Sequence, residues 1–201
     1  MDIRAEAIVC AVRPHGETGA IVRLLTADTG LVAAYVAGAR GRHLRPVLIP
    51  GNRVDAELRA RSESSLPSAR LELTRSRGPW LGEPLPAAAL SWLGALTATA
   101  LPERQPYPAL YEALSGLLDA VCLAPSARGW MLPLLSYEVL LLRELGYGAP
   151  VPRPTEEDWP AMLRAFDAIG GELARYPLAD RRKDAMAART LLRERLGRIE
   201  S

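Results

Sequence analysis

IVRLLTADTGLVAAYVAGARGRHLRP, residues 21–46, sets two short apolar runs on either side of a turn and follows them with a cluster of arginines. Each run is too short for a helix and rich in valine and leucine, and Ala-Asp-Thr-Gly between them is a turn sequence, so the stretch reads as two paired strands. Arg40, Arg42 and Arg45, with His43, follow directly on a loop expected to be mobile, which Gly38 and Gly41 let conform to a ligand.

The same grammar extends on both sides. AIVCAV (7–12) is joined to AIVRLLT (20–26) by RPHGETG, and LVAAYVA covers 31–37. Beyond the basic loop, Pro50-Gly51 marks another turn. NRVDAELRA (52–60) then alternates, placing Val54, Ala56 and Leu58 on one face and Arg53, Asp55, Glu57 and Arg59 on the other. ARLELT (69–74) repeats that period. Five strands in about 75 residues leave no room for crossover helices, so a small antiparallel barrel or sandwich is expected.

After Gly78-Pro79-Trp80 the period changes to that of helices. Leu85, Ala89, Leu93 and Leu96 form one stripe, closed by Pro102 and Pro106. Residues 107–123 carry Leu110, Leu114, Leu117, Leu118 and Val121, and a third helix is expected from Trp130 to Leu145, ending at Gly146-Tyr147-Gly148. A proline-rich connector spans 149–155, and Thr155-Glu156-Glu157-Asp158 reads as a capping box for a helix over 156–175. A last helix is expected over 183–197. The expected class is α+β: a sheet domain over 1–78 followed by an all-helical domain over 79–201 of about five helices.

Composition narrows the function. Apolar residues are 49% and charged residues 24%, the profile of a globular chain. Net charge is only +2, but residues 1–80 hold 12 arginines against 8 acids while residues 81–201 hold 13 basic against 15 acidic side chains. A polyanion-binding face is therefore expected in the first part. Cys10 and Cys122 stand alone in apolar contexts, consistent with reducing conditions. Asp2, Arg4 and Glu6 interrupt any signal-peptide pattern and no apolar tract reaches membrane-span length, so a cytoplasmic protein is expected.

Little here suggests an enzyme. His15 and His43 are the only histidines, Lys183 is the only lysine, and HExxH, CxxC, GxSxG and Walker-type loops are absent from the sequence. The carboxylates of GETG and ADTG sit where hairpin turns place them. No catalysis, cofactor or metal is expected.

Two groups of residues carry a resemblance. Arg13, Pro14, Gly16, Glu17 and Thr18, then Leu25, Thr26, Gly30 and Gly38-Ala39-Arg40 occur in order, and Tyr137, Glu138, Leu141, Leu142, Leu145 and Gly146-Tyr147-Gly148 follow about 100 residues later. Together they resemble the bacterial recombination mediator RecO family. The resemblance implies a five-stranded antiparallel OB-fold barrel followed by a helical domain. It further implies binding of single- and double-stranded DNA without sequence preference, and annealing of complementary strands. Assistance to RecA loading with RecR and the single-strand-binding protein is also implied, in association with the nucleoid. Some members carry a four-cysteine zinc site after the Gly-Tyr-Gly segment. Here APVPRPTEEDWP (149–160) has no cysteine, so no zinc is expected, and about 50 residues follow the Gly-Tyr-Gly segment, so a shortened member is expected.

On this reading Arg13, Arg23, Arg40, Arg42, His43, Arg45, Arg53, Arg59 and Arg61 are the candidate DNA contacts. Guanidinium groups grip phosphate through paired donors and need no base readout. Arg59 and Arg61 read equally well as a solvated strand face. Tyr35 is the only aromatic in residues 1–75 apart from the histidines, so electrostatics is expected to dominate over stacking. Arg128, Arg143, Arg175, Arg181, Arg182 and Lys183 are candidates for holding the acidic tail of the single-strand-binding protein. A non-catalytic adaptor that binds proteins rather than DNA is the alternative. In the last two helices, Trp159, Met162, Leu163, Phe166, Ile169 and Leu173, and then Met186, Leu191, Leu192 and Leu196, are expected to be buried against residues 107–145. Arg189, Arg193 and Arg195 are expected to face solvent.

Overall fold

The computed structural model describes residues 2–62, 65–148, 158–179 and 182–199, with Arg182, Lys183 and Asp184 described by backbone alone. Five strands come first: β1 Asp2–His15, β2 Gly19–Thr26, β3 Gly30–Val36, β4 Arg53–Arg59 and β5 Ser68–Arg75. A short 3-10 turn, Gly78–Gly82, leads to five helices: α1 Pro84–Ala100, α2 Pro108–Leu123, α3 Arg128–Glu144, α4 Trp159–Arg175 and α5 Arg182–Leu196. The chain forms two compact units: residues 1–82 with 101–111, and residues 83–100 with 112–201.

In the first unit the strands run in the order β1-β2-β3-β5-β4, and β4 pairs back with β1 to close the ring. The expected antiparallel OB-fold barrel does not stand as written, because the sheet is mixed. β3 and β5 meet in parallel, at Tyr35 and Ser68, while the other pairings are antiparallel. The long connection through residues 37–67 brings the chain back beside β3 in the same direction, which strand periodicity does not reveal. Alternation sorts the side chains as expected. Val22, Leu24, Val32, Ala34, Val54, Ala56 and Leu58 are buried inside, and Ile21, Arg23, Asp55 and Glu57 lie on outward positions. β1 is long enough to serve both β4 and β2, with a register shift between Val9 and Ala11. Ala7 through Cys10 are all buried.

The second unit is helical. Trp159, Met162, Phe166, Ile169 and Leu173 are buried on α4, and Asp158 caps that helix by accepting from the Ala161 N–H at 2.8 Å. The connector 149–155, the rest of the expected capping box and Arg181 lie outside the described residues. Gly146 ends α3 with φ 84°, the left-handed turn expected of it.

Three expectations for the last helix are corrected. α5 packs chiefly against α1 rather than residues 107–145, Leu191 is exposed, and Arg189 is buried. The buried stripe of α5 is Ala185, Arg189, Leu192 and Leu196, at helical spacing. Arg189 bonds Glu138 Oε2 at 2.9 Å and the Phe166 carbonyl at 2.6 Å, and its guanidinium lies 3.6 Å from the Phe166 ring centroid. Glu138 also accepts from Trp92 Nε1 at 2.7 Å. Gly170 is required beside them, since a Cβ there would collide with the Arg189 guanidinium. Tyr137, beside Glu138, bonds through its hydroxyl to Thr97 Oγ1 at 2.6 Å.

Candidate nucleic-acid interface

Residues 37–48 fold as a succession of turns. The Gly41 N–H reaches the Gly38 carbonyl at 2.8 Å, Leu44 and Arg45 donate to the Gly41 carbonyl at 3.1 Å, and Leu48 donates to the Leu44 carbonyl at 3.0 Å. The expected mobile loop is corrected here: Ala39 and Val47 are buried and Leu44 and Leu48 pack on the barrel core, so the apolar residues pin the segment down. What stays outside is charged: Arg40, Arg42, His43 and Arg45 are exposed. The Arg40 N–H donates to the Thr18 carbonyl at 3.3 Å, joining this loop to the β1–β2 turn.

Asn52, fully buried, holds the far end. Its Nδ2 donates to the carbonyls of Pro46 at 2.8 Å and Val47 at 3.0 Å, and its Oδ1 accepts the Arg77 N–H at 2.6 Å. Sequence reading missed this residue. Its one available signal was an asparagine directly after the Pro50-Gly51 turn, which reads as part of the turn.

The candidate arginines separate into two groups. Arg40, Arg42 and Arg45 have no acidic partner among the described residues, nor does Arg13, exposed on the outer face of β1. Between the loop and the β1–β2 hairpin lies a groove of about 200 Å³ with an apolar floor of Val12, Pro14, Ala20, Ala39 and Leu48, and with Arg40 and Arg45 in its walls. Three other candidates are engaged. Arg23 pairs with Glu103 at 3.0 Å, Arg53 with Glu6 at 3.6 Å and Arg59 with Glu57 at 2.6 Å. Hydrogen bonds from Arg59 and Arg4 hold the Glu57 carboxyl below the usual carboxylate range. Arg61 is exposed.

Arg53 and Arg59 also stand on a different face. Glu6, Asp55 and Glu72 are cross-strand neighbours on β1, β4 and β5, and they line a groove with Arg4, Glu57 and Arg70. Like charges side by side repel a polyanion, whereas among the described residues Arg13, Arg40, Arg42 and Arg45 carry positive charge with no acidic partner.

In the helical unit, Arg128 lies 5.4 Å from the Trp159 ring centroid, Arg175 lies 5.2 Å from that of Tyr176, and Arg143 stands 3.6 Å from Glu144. These three are not gathered into one cluster by any of these contacts. Among the described residues no group of three or more His, Cys, Asp or Glu is placed to hold a metal ion, and no helix is long and apolar enough to cross a membrane. Burial pushes the Cys10 thiol up to about 12.

Fold and charge together define a class: a small closed mixed sheet that carries exposed arginines without acidic partners among the described residues, followed in sequence by a helical unit. The family models described as Recombination protein O N terminal and Recombination protein O C terminal match residues 1–77 and 84–153. The chain belongs to the RecO family. It is 44% identical over 149 residues to the DNA repair protein RecO of Rhodospirillum centenum, covering 74% of this chain and 58% of that protein. With the protein of the same name from Ruegeria it shares 44% over 149 residues, 74% of this chain and 61% of the relative. With that of Caulobacter vibrioides it shares 45% over 150 residues, 74% and 60%. The chain thus matches about three fifths of the length of these relatives.

Proposed function

We propose that this chain is a cytoplasmic, non-catalytic DNA-binding mediator of recombinational repair. It binds single- and double-stranded DNA through the phosphates, without reading sequence, and promotes annealing by neutralising the charge of two strands held close together. In this reading residues 1–78 carry the DNA, and residues 79–201 meet the partners that family membership suggests: RecR and the acidic tail of the single-strand-binding protein, acting upstream of RecA. One observation carries it: Arg40, Arg42 and Arg45 are exposed without an acidic partner among the described residues, on a loop whose apolar residues and Asn52 fix its backbone. Cations held out by a rigid backbone favour phosphate contact, because little order remains to be imposed on binding.

Bond chemistry has no place in this role. Complementary labelled strands mixed with the protein should anneal faster than alone, without nucleotide or divalent metal, and should be recovered uncut. Failure to bind either form of DNA, with retained binding of the single-strand-binding protein's tail peptide, would favour the adaptor reading instead.

A further inference from the structure

We propose that Tyr35 is a stacking platform for one unstacked base, so that this edge of the barrel distinguishes single strands from duplex; the inference rests on the DNA-binding reading above. Arg13, Ile21 and Tyr35 are cross-strand partners in one row across β1, β2 and β3. Their neighbours Val22, Ala34 and Val36 are buried, so the row occupies the outer face. Ile21 and Tyr35 are half-buried and Arg13 is exposed.

The ring is held in place. It crosses the backbone of Gly19 so closely that a Cβ there would run into Cε2, Cζ and the hydroxyl. The His15 ring meets it edge-on, with centroids 6.2 Å apart and planes at 81°. The Tyr35 N–H is fixed to the Pro67 carbonyl at 2.8 Å. An immobilised aromatic gives up little entropy when a base stacks on it.

One cation shares this row. Arg13 ends the row, and the Arg40 N–H bonds Thr18, next to Gly19. Arg40 and Arg45 line a groove with Gly19 whose floor, Val12 and Ala20, belongs to the core side of the sheet rather than to this row. A single strand crossing this row would pass from Arg13 to Tyr35, where a base turned out of its stack meets the ring while a neighbouring phosphate meets the Arg13 guanidinium. Every base has a π-face, so this contact is indifferent to sequence. Paired bases in a duplex are unavailable to it.

The test uses the full chain and three fluorescein-labelled ligands of equal length: an oligothymidylate, the same backbone with abasic sites, and a duplex. Tyr35→Leu keeps apolar bulk over Gly19 without the ring, and Tyr35→Phe keeps the ring. Tyr35→Leu should weaken oligothymidylate binding about 5- to 150-fold, the range for loss of one stacked base, and leave the abasic strand and the duplex unchanged. Tyr35→Phe should bind all three as the parent does. Equal weakening toward all three ligands, or none toward oligothymidylate, overturns the platform while leaving the DNA reading standing. A parent chain that binds no DNA overturns both.

Discussion

Arg189→Met removes the cation from a carboxylate that has no contact with water. Glu138 is 0% exposed and Arg189 5%, and their ion pair at 2.9 Å is shared with the Trp92 N–H and the Phe166 carbonyl. Breaking one side of such a pair costs about 3–5 kcal/mol, because the remaining charge stays buried without its partner. Total stability is typically about 5–15 kcal/mol, so the loss should be visible in any denaturation curve. The double variant Glu138→Gln with Arg189→Met removes both charges and keeps an acceptor for Trp92, so it should recover at least about half of that loss.

The pH dependence adds an independent check. Burial already raises the Glu138 carboxyl above its ordinary range, and Arg189 opposes that rise. Without the arginine the carboxyl rises further. A raised carboxyl binds its proton more tightly when folded, so its contribution to stability is complete below the ordinary carboxylate pKa and is lost as pH climbs through the folded value. The deficit of Arg189→Met against the parent should therefore widen from mildly acidic to alkaline pH. Urea denaturation followed by the fluorescence of the four tryptophans would read it. A single variant within about 1 kcal/mol of the parent, a deficit independent of pH, or a double variant no better than the single, would refute the reasoning.

Two further outcomes follow. Asn52→Ala strands the Pro46 and Val47 carbonyls and the Arg77 N–H, each at about 1–3 kcal/mol if left unpaired, and should weaken DNA binding without touching any arginine; anisotropy and thermal melting together would check it, and loss of stability with full affinity would count against a role for the rigid loop. Cys10, with its thiol held near 12 by burial, should stay unmodified by a thiol reagent at pH 8 until the chain is unfolded, as read by intact mass. Because burial raises this thiol from its ordinary 9.0 to about 12, its contribution to stability is present below 9.0 and falls as pH rises toward about 12, a fall that Cys10→Ala should lack.

The strands were legible because one side of each faces a core: Val54, Ala56 and Leu58 announce β4 by alternation alone, and the structure buries all three. Direction was not legible. Nothing in the residues of β3 or β5 encodes that they meet in parallel, since that depends on the route of the chain between them. The buried pair was hidden for a different reason. Arg189 and Glu138 occupy core positions on their helices, but an arginine and a glutamate read as surface until their partners are known. Arg40, Arg42 and Arg45 could be picked out because no acid lies near them in the chain, whereas the partners of Arg23 and Arg53 are Glu103 and Glu6, distant in sequence and adjacent only through tertiary structure.

The central claim is that DNA is held at the cationic edge of the barrel, and the salt dependence of binding measures it most directly. Anisotropy titrations with a labelled duplex should be run from low to moderate salt on the parent, on a triple Arg40→Ala, Arg42→Ala, Arg45→Ala variant, and on a control, Arg4→Ala with Arg59→Ala, taken from the acid-rich face. Each phosphate contact contributes about 0.9 to the slope of log affinity against log salt on duplex DNA, so three lost contacts should flatten it by about 2.7. The control should keep the parent's slope. A triple variant with the parent's slope and affinity, or a control that loses as much as the triple variant, would contradict the placement of DNA on this edge.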